Sequence, residues 1–146
     1  MSSMEKKKYS VLIVDDELIN IKALSQTLKP EYTVYAVING HEALEAAEKH
    51  QPDIILLDIV MPDTDGYEIL AALKSSGLTK HIPVIFLTSK TDPADEHRGL
   101  DLGAIDYILK PFSRGLLLKR LEQHLLLEAL KQELKELKGD EHGDDG

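Results

Sequence analysis

A few polar side chains each come just after a short apolar run: Asp15, Asp16, Asp58, Thr88 and Lys110. Clustered carboxylates repel one another, so the three aspartates would need a cation if they meet. Hard oxygen ligands without His or Cys favour Mg²⁺ over a transition metal. A lysine and a hydroxyl beside such a cation are what the stabilisation of a transferring phosphoryl group requires. A carboxylate can itself be the nucleophile and become an aspartyl-phosphate.

These side chains meet only if the runs before them are strands of one sheet. Five runs are rich in β-branched residues and mostly continuous: Val11–Val14, Val34–Ile38, Ile54–Leu57, Val84–Leu87 and Ile105–Leu109. Continuous runs are typical of strands that are buried on both faces, as in a parallel sheet. Helical patterns alternate with them, over about 18–28, 43–47, 69–73, 93–102 and 113–138. We therefore expect an α/β fold, (βα)5, with a doubly wound parallel sheet that binds its ligand beyond the carboxyl ends of the strands.

Composition narrows the class of protein further. The 146 residues are 42% hydrophobic, which suits one domain with a core. The net charge of -9 argues against sequence-independent binding of nucleic acid. The absence of cysteine excludes disulfides, zinc fingers and thiol catalysis. No apolar run approaches the ~18 residues of a membrane span, and the first ten residues do not read as a signal peptide, so we expect no membrane contact and a cytoplasmic protein.

Four motifs carry a resemblance to a known family. They are Val14–Glu17, Leu57–Gly66, Leu87–Ser89 and Gly103–Phe112, in this order and at these spacings. On these residues the sequence resembles the receiver domain of bacterial two-component response regulators. The resemblance implies a flavodoxin-like sheet with strand order 2-1-3-4-5 and an extended last helix. It also implies a signalling switch that catalyses only its own phosphorylation and dephosphorylation.

The resemblance also implies a role for each site residue. Asp58 would accept a phosphoryl group from a sensor histidine kinase or a phosphotransfer protein. Mg²⁺ would be held by Asp16, Asp58 and the backbone carbonyl of Val60, with Asp15 acting through a water. Lys110 would bind the phosphoryl group, Thr88 would move towards it, and Tyr107 would rotate between exposed and buried positions. The peptide bond between Lys110 and Pro111 would be cis. Phosphorylation would then rearrange the face formed by helix 4, strand 5 and helix 5.

Simpler interpretations stay open for single residues. Asp15 and Asp16 alone could be a helix N-cap, and Tyr107 could be an ordinary core tyrosine. Two other functions compete for the whole chain. One is a Mg²⁺-dependent phosphatase with an aspartyl nucleophile, although that family needs Asp-x-Asp directly after its first strand. The other is a degenerate receiver that serves only as an interaction module.

The domain boundaries follow from the same patterns. We predict a disordered N-terminus over 1–8, a receiver domain over 9–126, a helical extension over 127–138 and a disordered acidic tail over 139–146. Ten leucines lie between Leu116 and Leu137. The leucine pattern leaves three interpretations of the extension open: a frayed amphipathic helix, a coiled-coil seam for a homodimer, or a signalling helix. The leucine-rich helix resembles that of receivers joined to cyclic-di-GMP output domains, which leaves open whether this chain is a fragment or stands alone.

A second dimer surface is the face of helix 4, strand 5 and helix 5. Asp106 and Arg120 lie where transcription-type receivers form one dimer salt bridge, but Ile105 replaces an acidic residue common in that subfamily.

Two positions near the site tune the phosphoryl lifetime in such receivers. The apolar Val60 and the long Lys90 side chain predict slow-to-moderate hydrolysis.

Overall fold

Five parallel strands form one sheet in the order β2-β1-β3-β4-β5, as the sequence predicts. The computed structural model describes residues 8–62, 64–89 and 98–143, with no side chains described for 139–143. The strands are β1 (Ser10–Val14), β2 (Thr33–Val37), β3 (Ile54–Asp58), β4 (Val84–Thr88) and β5 (Asp106–Leu109).

Helices alternate with the strands along the chain. They are α1 (Leu18–Leu28), α2 (Ala43–His50), α3 (Gly66–Ser75), α4, of which 98–101 are described, and α5 (Arg114–Gly143). A 3-10 turn (Gly40–Glu42) precedes α2, and its Asn39 cap accepts a hydrogen bond from the Glu42 amide. The predicted start of the fourth helix near Pro93 lies outside the described residues. No helix among the described residues combines the length and hydropathy that a membrane span requires.

The ladders between strands explain where the observed strand ends differ from the predicted ones. β3 and β4 each run one residue further than the apolar pattern, because Asp58 pairs with Leu87 and Thr88 pairs with Leu109. β2 instead stops at Val37, which pairs with the last residue of β1, and the next residue, Ile38, is 50% exposed. The two polar side chains that end β3 and β4 therefore belong to the sheet itself.

Both faces of the three central strands, β1, β3 and β4, are buried, which is why these strands read as continuous apolar runs. One face carries Leu12, Leu57 and Phe86, and these pack in a single core cluster with residues of α2 and α3 such as Ala47 and Leu70. Successive residues of a strand point to opposite faces, so their neighbours along the strands line the other face. Those neighbours are also buried, as are three residues of α1: Ile21, Leu24 and Leu28. Burial on both sides fixes the carboxyl edge of the sheet as a rigid platform.

The last helix belongs to a second compact unit, residues 113–146. The Ser113 hydroxyl accepts a hydrogen bond from the Leu116 amide at the start of α5. The backbone stays helical to Gly143, beyond the predicted helix end at Lys138. A glycine costs a helix about 1 kcal/mol but does not force it to end. The predicted disordered residues 1–7 and 144–146 lie outside the described residues.

The turn between β3 and α3 depends on a close backbone approach at Gly66. Asp65 begins α3 by accepting a hydrogen bond from the Tyr67 amide at 2.9 Å. The Gly66 amide donates to the Ile59 carbonyl at 3.1 Å. A Cβ atom on Gly66 would lie 2.6 Å from Ile59 Cα and 2.9 Å from the Asp58 carbonyl oxygen. Only glycine lets α3 begin this close to the end of β3.

We therefore predict that Gly66→Ala destabilises the protein by about 1–3 kcal/mol, because the added methyl group forces the backbone after β3 to move. Denaturant unfolding followed by circular dichroism measures the loss. Gly77→Ala is the matched control, because a Cβ atom at Gly77 meets no atom within 4 Å. Equal stability of the two variants would contradict the close approach.

Candidate functional site

The carboxyl edge of the sheet brings together side chains from four strands. Asp15 and Lys110 follow β1 and β5, whereas Asp58 and Thr88 are the last residues of β3 and β4. Asp15, Asp58 and Thr88 are buried, and the Lys110 side chain is 22% exposed. Buried polar groups at one edge of an apolar sheet are costly unless they interact with one another.

Asp15 is held by contacts on both of its carboxylate oxygens. One oxygen accepts a hydrogen bond from the Glu17 amide at 2.9 Å, which forms a turn at the start of α1. The other oxygen accepts from the Asn20 side chain and from Lys110 Nζ, each at 3.3 Å. The Asp15 amide donates to the Val37 carbonyl at 3.2 Å. Three contacts therefore fix this carboxylate, and a fourth fixes the backbone that carries it.

Asp58 is less completely satisfied. One carboxylate oxygen accepts a hydrogen bond from the Val60 amide at 3.2 Å, and the other lies 3.8 Å from Lys110 Nζ. The pKa of Asp58 is raised to about 6, because burial and the charges of Asp15 and Asp16 outweigh the lowering effects of Lys110 and the Val60 amide. The site therefore carries an excess of negative charge at neutral pH.

Lys110 lies between two carboxylates rather than against one. Its Nζ atom is closer to Asp15, at 3.3 Å, than to Asp58, at 3.8 Å. The contact of Lys110 with Asp15 is not among the roles that the family resemblance implies for this lysine. The Lys110 amide donates to the Thr88 carbonyl at 2.8 Å, and the peptide bond to Pro111 is cis. A single ammonium thus partly neutralises both buried acids.

The residues that could hold a metal are acidic and supply only oxygen. Carboxylate oxygens of Asp15, Asp16 and Glu17 lie within 4.8 Å of one another, from a buried, a half-buried and an exposed residue. Asp16 is also close enough for its charge to act on Asp58. Oxygen donors with an uncompensated negative charge fit a hard divalent cation such as Mg²⁺. Of this set, Glu17 was not predicted as a ligand.

An aromatic row lies beside the site. The Phe86 ring meets Tyr107 edge-on at 6.3 Å and Tyr67 at 5.5 Å. Phe86 and Thr88 share one face of β4, since they are two residues apart on a strand. Tyr107 is half-buried on β5, directly opposite Phe86. Phe86 and Tyr67 were not predicted as neighbours of the site, because aromatic residues in an apolar run give no signal beyond burial.

A comparison with protein families identifies the domain. The response regulator receiver domain matches residues 11–122. The chain belongs to this family. Receiver domains are signalling switches of two-component systems, and they interact with histidine kinases or phosphotransfer proteins. They bind Mg²⁺ at an acidic site.

Individual relatives agree with the family. A probable cyclic di-GMP phosphodiesterase of Vibrio cholerae is 46% identical over 125 residues, which are 86% of this chain but only 28% of that protein. The chain thus spans about a quarter of that relative's length, and the phosphodiesterase name reflects a separate output domain. The chemotaxis protein CheY4 of Vibrio cholerae has a similar structure, with a TM-score of 0.76 and 34% identity over 80% of this chain and 98% of CheY4.

A second similar structure contains a bound metal ion. The receiver domain of the sensor histidine kinase PA1611 of Pseudomonas aeruginosa was solved with a magnesium ion coordinated in its active site cleft. It matches with a TM-score of 0.74 and 29% identity over 82% of this chain and 98% of that domain.

The raised pKa of Asp58 predicts a pH-dependent stability. The folded protein holds a proton on Asp58 up to about pH 6, whereas the unfolded chain releases it near 3.8. The unfolded chain therefore binds fewer protons over this interval, and stability falls as the pH rises through it. In metal-free protein at pH 7 we expect Asp58→Asn to raise the free energy of unfolding by about 1–3 kcal/mol.

The gain should be much smaller at about pH 4, where Asp58 is protonated in the folded state and about half protonated in the unfolded chain. Urea unfolding with a chelator present, at pH 7 and at pH 4, measures both values. Asp101→Asn is the control, since Asp101 is exposed. A gain that is the same at both pH values would contradict the charge-based explanation.

Proposed function

We propose that Asp58 accepts a phosphoryl group from a phosphohistidine of a sensor histidine kinase or a phosphotransfer protein. The observation that carries this proposal is the burial of Asp58 at the end of β3, with one oxygen facing Lys110. A buried carboxylate with a raised pKa is a stronger nucleophile than an exposed one and is still largely ionised at pH 7. The family to which the chain belongs supports the same chemistry.

The transfer needs few groups from this chain. A carboxylate oxygen of Asp58 forms a bond to phosphorus as the phosphorus–nitrogen bond of the donor breaks, and the electron pair returns to the imidazole nitrogen. The Val60 amide orients the carboxylate, from 3.2 Å. Lys110 and the Thr88 hydroxyl then bind the new phosphoryl oxygens as positive and neutral donors. In the separate dephosphorylation step, water attacks phosphorus, the bond between phosphorus and the Asp58 oxygen breaks, and inorganic phosphate is released. The chain therefore acts only on its own phosphoryl group.

Mg²⁺ fits the remaining negative charge. Asp16, Asp58 and the Val60 carbonyl would hold the ion, with Asp15 acting through a water. A bound Mg²⁺ would neutralise charge on the carboxylates and on the phosphoryl oxygens. The carboxylate cluster of Asp15, Asp16 and Glu17 supports a cation at this edge, as does the magnesium-bound receiver domain of PA1611. Glu17 lies close enough to contribute through a water as well.

The switch proposal involves Thr88 and Tyr107. Phosphorylation adds about -1.5 to -2 charge, which draws Lys110 and Thr88 towards Asp58. The contact between Phe86 and Tyr107 supports a response of the Tyr107 side chain to this movement, because Phe86 lies on the same strand face as Thr88. Rearrangement of the face of helix 4, strand 5 and helix 5, and a dimer through that face, stay predictions from the sequence.

Intact mass after incubation with Mg²⁺ and acetyl phosphate tests the acceptor. We expect the mass of one phosphoryl group to be gained by the wild type and by Asp101→Asn, and no gain by Asp58→Asn. Omitting Mg²⁺ should reduce the phosphorylated fraction at least tenfold, because the charge at the site is then not neutralised. An unchanged mass in the folded wild type would contradict the proposal and favour the interaction module.

The phosphoryl lifetime provides a separate test. The Val60 side chain is 50% exposed and carries no hydrogen-bonding group, so it cannot hold an attacking water. Lys90, the second residue in this prediction, lies outside the described residues. We expect slow-to-moderate hydrolysis, and Val60→Gln should shorten the half-life because its amide can orient water. Loss of the phosphoryl mass over time measures both rates, and a wild-type half-life of seconds would contradict the prediction.

A further inference from the structure

The second half of α5 carries an exposed row of leucines. Leu127, Leu130, Leu134 and Leu137 follow a 3-4-3 spacing and are 50%, 49%, 54% and 61% exposed. Residues spaced in this way lie on one side of a helix. Four half-exposed leucines on one stripe are unusual for a helix that faces only water, because each exposes apolar surface that burial would stabilise.

This stripe is distinct from the buried side of the same helix. Leu117, Leu121 and Leu125 are buried, with a spacing of four. At about 100° per residue, their mean direction lies on nearly the opposite side of α5 from the exposed stripe. The family match also ends at residue 122, before the first leucine of the stripe. The stripe therefore lies beyond the part of the chain that matches the receiver domain.

We propose that two copies of this chain pair through the stripe as a parallel, in-register, two-stranded coiled coil over residues 127–138. The 3-4-3 spacing assigns Leu127 and Leu134 to the a positions of two heptads, and Leu130 and Leu137 to the d positions. Each leucine then inserts between side chains of the second helix. The proposal does not depend on phosphorylation of Asp58.

Charge beside the stripe selects the parallel orientation. With this heptad assignment Glu133 is at g and Lys138 is at e, five residues later. In a parallel pair Glu133 faces Lys138 of the partner subunit, and the two-fold axis repeats the contact. In an antiparallel pair with the same core, g positions face g positions and e positions face e positions. Glu133 would then face Glu133 of the partner subunit, and Lys131 would face Lys131 of the partner subunit. Like charges at these positions oppose that arrangement.

The flank one heptad earlier is compatible with the same orientation. Leu126 is at g and 60% exposed, and it would face Lys131 of the partner subunit at e. The Lys131 stem can cover an apolar neighbour while its ammonium stays at 3.4 Å from Glu128 of the same helix. Two heptads form a short seam, so the dimer is expected to depend on concentration. A parallel pair leaves the residues after Lys138 of both copies side by side.

Cysteine cross-linking of the full chain tests both pairing and orientation, since the natural sequence has no cysteine. Leu137→Cys should form a disulfide-linked dimer under mild oxidation, because identical d residues face each other in a parallel pair. Gln132→Cys is the matched control, because it is exposed on the same helix at f, away from the seam. We expect at least a tenfold faster rate of cross-linking for Leu137→Cys.

Two further measurements complete the test. Sedimentation equilibrium should show a dimer that Glu133→Lys weakens by about tenfold and that the double variant Glu133→Lys, Lys138→Glu restores. A wild type that stays monomeric at all concentrations, or equal cross-linking at positions 132 and 137, would overturn the proposal. Preferential cross-linking of Leu130→Cys with Leu134→Cys in a mixture would overturn the parallel orientation. Phosphoryl mass gain in the same samples reports separately on Asp58.

Discussion

The repulsion between buried carboxylates at one edge of the sheet is the constraint on which the site depends. Asp15 and Asp58 are both nearly inaccessible to water, and Asp16 adds a third negative charge nearby. Lys110 contacts both buried acids, but one ammonium leaves the charge uncompensated. A site in this condition gains stability from a cation and responds strongly to a phosphoryl group, because each changes a charge balance held in a low dielectric.

The fold maintains this unfavourable arrangement through packing elsewhere. Both faces of the three central strands, β1, β3 and β4, are largely apolar and buried, so the strand ends cannot move apart to relieve the repulsion. Gly66 allows α3 to begin against the backbone that follows Asp58, and Asn20 and the Glu17 amide hold Asp15 from the other side. The packed core and these contacts thus maintain the charge cluster that makes the domain chemically active.

Much of this could be predicted from the sequence because strands that are buried on both faces have a strong apolar signal. That signal locates the five strands and the polar residues at their carboxyl ends, including Asp58 and Thr88. The contact between Lys110 and Asp15 could not be predicted, because it depends on which rotamer the lysine adopts between two acids. Asn20 and Phe86 were missed for a related reason, since a first-turn asparagine and a core phenylalanine have many ordinary explanations. The end of α5 was misjudged because Gly139 weakens a helix without ending it.

The pKa of Asp58, measured by carbon NMR of its carboxyl group with and without Mg²⁺, tests the central claim most directly. A metal-free value of about 6 that falls well below this when Mg²⁺ is added is the predicted result, because the cation offsets both burial and the neighbouring charges. Lys110→Gln should raise the metal-free value further. A value near 3.8 in both conditions would contradict the account, since Asp58 would then feel neither burial nor the other carboxylates.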